Sequence, residues 1–161
     1  MGIETTLCYI ERDGAYLMLH RVSKVHDVNE GKWIGVGGKF EQGESPEDCM
    51  IREVFEETGL TPIRWRHRGI VTFISPRSVT EHMHLFTITE WTGELHSCDE
   101  GDLKWVAKDK VLELPHWKGD EIFLSLIDDD YRPFFSLELV YDERDELIDA
   151  RLDGALLDIP E

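Results

Sequence analysis

Apolar and polar positions alternate along much of the chain, and the alternation predicts strands. TTLCYIE (5–11) and AYLMLHR (15–21) are rich in β-formers and flank Arg12-Asp13-Gly14, a turn signal, so the sequence predicts an N-terminal β-hairpin. WRHRGIVTFIS (65–75) and HMHLFTITEWTG (82–93) predict a pair of long antiparallel strands, and LKWVA (103–107) a shorter one. FFSLELVYD (134–142) and ELIDARLD (146–153) predict a closing hairpin around Glu143-Arg144-Asp145. Between the first hairpin and the first helix, the polar residues 22–32 predict a loop, followed by the short glycine-rich segment WIGVGGKF (33–40).

The period changes after Ser45. Ser45 is a predicted N-cap, with Pro46 at the first helical position and Asp48 completing a capping box, and Gly59 stands where a left-handed residue ends a helix. At 100° per residue, Ile51, Val54 and Phe55 fall on one side of PEDCMIREVFEET, and Glu53, Glu56 and Glu57 on the other. KDKVLEL (108–114) predicts a short helix stopped by Pro115, and DEIFLSLIDDD (120–130) a second one, its apolar stripe at Ile122, Phe123, Leu126 and Ile127. The resulting fold class is α+β: a curved mixed β-sheet flanked by two or three α-helices, an α/β/α sandwich.

Composition narrows the function. The chain has 161 residues, with 17 Lys plus Arg against 34 Asp plus Glu and a formal net charge of −17. That length suits a single domain over 1–161. A balance this acidic argues against binding a nucleic acid duplex, whose affinity comes from basic footprints. No apolar run is long enough to span a bilayer, and the N-terminal residues lack a secretory pattern. Cys8, Cys49 and Cys98 form no CxxC and no zinc pattern, which predicts reduced thiols and a cytoplasmic setting.

Three carboxylates at i, i+3 and i+4 repel one another, and a cation relieves the repulsion. With no His or Cys among them, the ligand set is one of hard oxygens, which predicts Mg²⁺, with Mn²⁺ as a substitute. Gly38, Glu44, Arg52, Glu53, Val54, Glu56, Glu57, Gly59 and Leu60 reproduce G-x5-E-x7-R-E-U-x-E-E-x-G-U, U being a bulky aliphatic residue, at all nine defined positions over 23 residues. The chain therefore resembles the Nudix hydrolases. The segments GKWIGVGGKFEQGES, DEGDLKW and LPHWKGDEIF resemble those of the MutT/MutX-like 8-oxo-dGTP diphosphatase branch, and the likeness runs over nearly the whole chain.

The resemblance implies a Nudix-type fold and Mg²⁺-dependent hydrolysis of a nucleoside triphosphate: 8-oxo-dGTP and water give 8-oxo-dGMP and diphosphate, in nucleotide-pool sanitation. It implies catalytic roles for Glu53, Glu56, Glu57, Arg52 and Glu44, with Arg52 bracing the acids. It places metal at Glu53, Glu56, Glu57, Glu100 and Gly38; Asp99 and Asp102 rival Glu100. It gives substrate contacts to Trp117, by stacking on a purine, to Asp120, by reading the guanine edge, and to Lys39, at a phosphate. Asp120 is also readable as the N-cap of the helix beginning near Glu121. His82 and His84 alternate on a strand and are expected on one sheet face.

Two departures bear on the substrate. Gly119 stands where many animal members carry the first of two acids, and Ile34 stands where they carry a base-contacting Asn. Other nucleoside diphosphate derivatives therefore stay open as substrates: another (d)NTP, ADP-ribose or a dinucleoside polyphosphate. A non-catalytic nucleotide-sensing domain is the alternative class, against which the complete motif argues. The partner expected is a small-molecule nucleotide, with no membrane, for a monomer or homodimer. Which glutamate acts as base, and how many metal ions take part, stay open.

Overall fold

The computed structural model describes residues 2–22 and 28–161. Strands β1 (Ile3–Arg12) and β2 (Ala15–Arg21) meet at a tight turn in which Asp13 and Gly14 have φ of 50° and 76°. Positive φ at both central positions matches the twist of the flanking strands, and an Asp-Gly pair tolerates it. The hairpin is shorter than the alternation predicts. β1 and β2 pair only at Glu11↔Tyr16 and Arg12↔Ala15 and then diverge. Beyond the turn, β1 runs parallel to β5 (Glu81–Thr92) from Ile3↔Glu81 to Ile10↔Ile88, and β2 pairs antiparallel with β6 (Gly101–Ala107).

The segment 33–40 supplies only β3 (Trp33–Ile34) and single bridges to β1 at Cys8↔Val36 and Thr5↔Lys39. Part of the loop expected over 22–32 lies outside the described residues. The predicted antiparallel pair is β4 (Thr61–Ile74) with β5, and β4 also pairs in parallel with β7 (Phe135–Tyr141). β7 and β8 (Leu147–Leu152) form the expected final hairpin. A second Asp-Gly turn at Asp153-Gly154, again with positive φ at both residues, adds β9 (Ala155–Leu156) at the edge. The sheet order is β3-β2-β1-β5-β4-β7-β8-β9, with β6 joined to β2.

Strand alternation divides the core into two layers. Cys8, Ile10, Phe86 and Ile88 face α1 (Pro46–Thr58), where Met50 and Val54 meet them. Tyr9, Val71, Phe73 and Leu85 face the other way, toward Phe123 and Ile127 of α2 (Asp120–Ile127). The short helix expected near residues 108–114 is a single 3-10 turn, Val111–Glu113. No helix among the described residues is long and apolar enough to cross a membrane.

Candidate active site

Both ends of α1 are fixed locally. The Ser45 hydroxyl accepts the Asp48 N–H at 3.1 Å, and the Asp48 carboxylate accepts the Ser45 N–H at 3.1 Å. At the other end Gly59, with φ 82°, donates its N–H to the Phe55 carbonyl. These caps fix the helix ends, and packing on the sheet decides which side chains are buried. The buried residues are Cys49, Met50, Val54, Glu57 and Thr58, while Phe55 is exposed. The apolar face thus excludes Phe55 and includes Glu57, because the helix rests on β1 and β4 along the Met50–Val54–Glu57 edge.

The three glutamates consequently occupy three environments. Glu57 is 5% exposed; one of its oxygens accepts the Gly37 N–H at 2.7 Å, and the other, Oε2, is buried with no hydrogen-bond partner among the described residues. Burial, with help from the Glu100 and Glu53 charges, raises the Glu57 pKa well above the carboxylate range. Glu53 is half-buried, and its pKa is raised too, by burial against the opposing pull of Arg52. Glu56 is exposed at the helix surface.

Arg52 binds this group into a unit. Its Nε and one terminal nitrogen hold Glu44 at 2.7 and 2.9 Å, a two-point grip that brings the Glu44 pKa down to about 2. Its Nη1 reaches Glu53 at 2.8 Å and Glu56 at 3.2 Å, and Nη2 also reaches the Lys39 carbonyl at 2.9 Å. A lysine has one charged nitrogen and cannot serve these partners together. Arg52→Lys is therefore expected to lower stability by roughly 1–3 kcal/mol, measured as a shift in the urea midpoint at constant slope.

Gly38 provides room. A Cβ there would lie 2.6 Å from the Glu53 carboxyl carbon. Its carbonyl accepts the Thr6 N–H at 2.9 Å, which seats the glycine segment against β1. Of the acids near β6, Glu100 comes to the site, beside Arg21 at 3.7 Å, while Asp99 and Asp102 are exposed elsewhere. One ligand atom each from Glu57, Cys98 and Glu100 lie within 4.8 Å of one another. Of the helix glutamates Glu57 belongs to this group, and beside it lies a sulfur from a distant segment, which helix spacing cannot reveal. Converging carboxylates and an orphaned buried oxygen fit a divalent cation.

A cleft of about 750 Å³ joins Glu53, Gly38, Lys39 and Glu100 at one end to Trp117, Asp120, Asn29 and Ile34 at the other. Lys39 is exposed along it. Trp117 is 4% exposed, in T-shaped contact with Phe73 and Tyr141, with Lys32 Nζ 4.3 Å from its ring centroid and its Nε1–H donated to Asn29 at 2.8 Å. It is a cleft wall built into the core, with little open face. Asp120 is 8% exposed and opens α2 without capping it, since the N-cap is Gly119 and makes no side-chain bond. Burial pushes the Asp120 pKa up to about 7, against the pull of His116, the Trp117 backbone and Lys32. His116 lies between the Leu114 carbonyl at 2.6 Å and Glu121 at 2.9 Å; despite burial, these acceptors raise its pKa.

Asn29, Cys98 and His116 carry no sequence signal that marks them. Asn29 lies in a polar loop, and Cys98 and His116 are brought in by strand and turn geometry. His82 and His84 do share a sheet face: His82 meets Thr72 at 3.2 Å, and His84 lies between Glu4 at 2.9 Å and His67 at 3.0 Å.

The NUDIX domain model matches residues 3–127. The uncharacterized Nudix hydrolase YvcI of Bacillus subtilis is 33% identical over 127 residues, covering 76% of this chain and 77% of that protein. The oxidized purine nucleoside triphosphate hydrolase of Danio rerio is 31% identical over 106 residues, 65% of this chain and 67% of that one. Among solved structures, the MutT protein of Bacillus halodurans superposes with a TM-score of 0.82 at 29% identity, covering 94% of this chain and 97% of its own.

Proposed function

The chain belongs to the NUDIX domain family, hydrolases of phosphoric anhydride bonds, and we propose that its substrate is a purine nucleoside triphosphate of the 8-oxo-dGTP kind, cleaved with water to 8-oxo-dGMP and diphosphate. The observation that carries this reading is the single cleft that has the acid cluster at one end and Asp120 at the other.

In this reading Glu53, Glu56, Glu57 and Glu100 hold Mg²⁺, with Mn²⁺ as a substitute and Gly38 leaving the space. The cation supplies charge neutralisation at the phosphoryl oxygens of a substrate that a −17 protein would otherwise repel. Arg52 and Glu44 keep the acids in register, and Lys39 meets a phosphate. At the base end, Asp120, with a pKa of about 7, is available as the carboxylate at and above neutral pH. That form offers two acceptors side by side, the complement of guanine N1–H and N2–H. Trp117 supports the base plane, with Lys32 displaced from the ring. The setting proposed is the cytoplasm, for a monomer or homodimer that cleanses the nucleotide pool.

Ile34 lines the same cleft, so a side-chain amide is missing at that point of the wall. This favours, as a second reading, a broader choice among nucleoside triphosphates. A panel of 8-oxo-dGTP, dGTP, dCTP and ADP-ribose, each with and without Mg²⁺, decides between them. The proposal expects Mg²⁺-dependent diphosphate release with kcat/KM highest for 8-oxo-dGTP. Equal values for dCTP support the broader reading, and no turnover on any member supports a nucleotide sensor.

A further inference from the structure

We propose that Cys98 is a ligand in the divalent-cation site, so that one cation position is a mixed oxygen–sulfur site preferring a borderline or soft cation of the Zn²⁺, Co²⁺ or Cd²⁺ kind over Mg²⁺. The inference rests on the metal-dependent reading above and adds a ligand that the Nudix motif does not contain.

Three observations carry it. Ligand atoms of Glu57, Cys98 and Glu100 lie within 4.8 Å of one another. One ion at about 2.0–2.3 Å from each ligand, the usual reach for carboxylate oxygen and thiolate sulfur, can touch all three after small side-chain adjustments. Glu57 is 5% exposed, yet its Oε2 lacks a hydrogen-bond partner among the described residues, an arrangement a cation would satisfy. The turn that carries Cys98 is also held in place. Cys98 bridges to Gly101, and Gly101 is packed so closely on β2 that a Cβ would lie 1.9 Å from the His20 carbonyl oxygen. Cys98 and Glu100, two residues apart across that turn, are thereby brought to the same ion.

Ligand chemistry sets the preference. Four carboxylates suit Mg²⁺, which keeps an all-oxygen shell, whereas a thiolate adds affinity for softer cations. On coordination the Cys98 S–H bond breaks, its proton passes to solvent, and the sulfur lone pair forms the bond to the metal. The other two thiols are placed differently. Cys8 is fully buried, and Cys49 Sγ lies 3.6 Å from both the Thr6 hydroxyl and the Gly38 carbonyl. They serve as internal controls.

The test titrates Co²⁺ and Cd²⁺ into the full chain and follows the sulfur-to-metal charge-transfer absorbance, with Mg²⁺ binding measured by calorimetry. The wild type and Cys49→Ser are expected to show the band and Cys98→Ser to lack it. Cys98→Ser should also bind Cd²⁺ about 10–100-fold more weakly while keeping its Mg²⁺ affinity. A band that survives Cys98→Ser, or a wild type that binds Mg²⁺ and Co²⁺ without any band, overturns the proposal and leaves the metal-dependent reading standing. A wild type that binds no divalent cation overturns both. An equal loss of Mg²⁺ and Cd²⁺ affinity in Cys98→Ser makes the residue a structural support and overturns its role as a ligand.

Discussion

Glu57→Gln is expected to melt several degrees higher than the wild type in a chelating buffer and to lose on the order of 10²–10³ or more in turnover. The two effects have one cause. Glu57 is a buried carboxylate whose charge is opposed by desolvation and by Glu100 and Glu53. Without a cation that arrangement costs stability. Glutamine retains the acceptor for the Gly37 N–H, now held at 2.7 Å, and offers its amide hydrogens toward the neighbouring acids. A gain of about 1–2 kcal/mol corresponds to roughly 2–8 °C for a chain of this size. The wild type should recover the difference as Mg²⁺ is added, because a ligand that binds only the folded state stabilises it by mass action, and the variant should recover little.

Glu56→Gln supplies the contrast. Its carboxylate is 55% exposed and already paired with Arg52, so loss of activity is expected there without the gain in melting temperature. Differential scanning fluorimetry with and without Mg²⁺, alongside diphosphate release, measures all of this. A Glu57→Gln variant that melts at or below the wild type in chelator would show that the buried charge is compensated within the protein.

This asymmetry among the glutamates marks the limit of what spacing along a helix reveals. The spacing of Glu53, Glu56 and Glu57 puts them on one side, and the capping box and Gly59 fix the helix ends to the residue. The rotation of the helix against the sheet is tertiary information. It turns Glu57 inward and leaves Phe55 in water, the reverse of the ordering that hydrophobicity suggests for that pair. The strands divide in the same way. Alternation and turn chemistry mark the Asp13-Gly14 turn and the β7–β8 hairpin, because the turn and both strands are local. The parallel pairing of β1 with β5 and the pairing of β2 with β6 are set by contacts far apart in sequence, so the N-terminal hairpin reads as longer than it is. Asp153-Gly154 carries the same local turn signal as Asp13-Gly14 and leads into β9. At the site, Glu44 and Arg52 are legible because the motif fixes their spacing. Cys98 and Asn29 reach it from segments whose own sequence has no periodic or motif signal.

Asp120→Asn should change two quantities that a purely structural role would not move together. The first is the pH dependence of stability. Asp120 has a folded-state pKa of about 7, against 3.8 for the free side chain, because it is buried. Between those values the native state holds more protons than the unfolded state, so this residue makes stability fall as pH rises from about 4 to about 7, with no further loss above that. His116 and Lys32 moderate the penalty and Glu121 adds to it. Asparagine does not titrate, so chemical denaturation at stepped pH should show that part of the slope removed and the variant gaining on the wild type toward pH 8. The second quantity is substrate choice. Asn matches Asp in size and keeps an acceptor, but it presents two N–H donors, which at the guanine edge meet the N1–H and N2–H donors. A polar site with a mismatched partner loses about 1–3 kcal/mol, so kcat/KM for 8-oxo-dGTP relative to dCTP should fall roughly 10–100-fold. Helix capping cannot account for such a change, since Gly119 is the N-cap and the Asp120 carboxylate does not cap α2. If the pH slope is lost and the substrate ratio holds, Asp120 is a buried acid of the cleft wall with no part in reading the base.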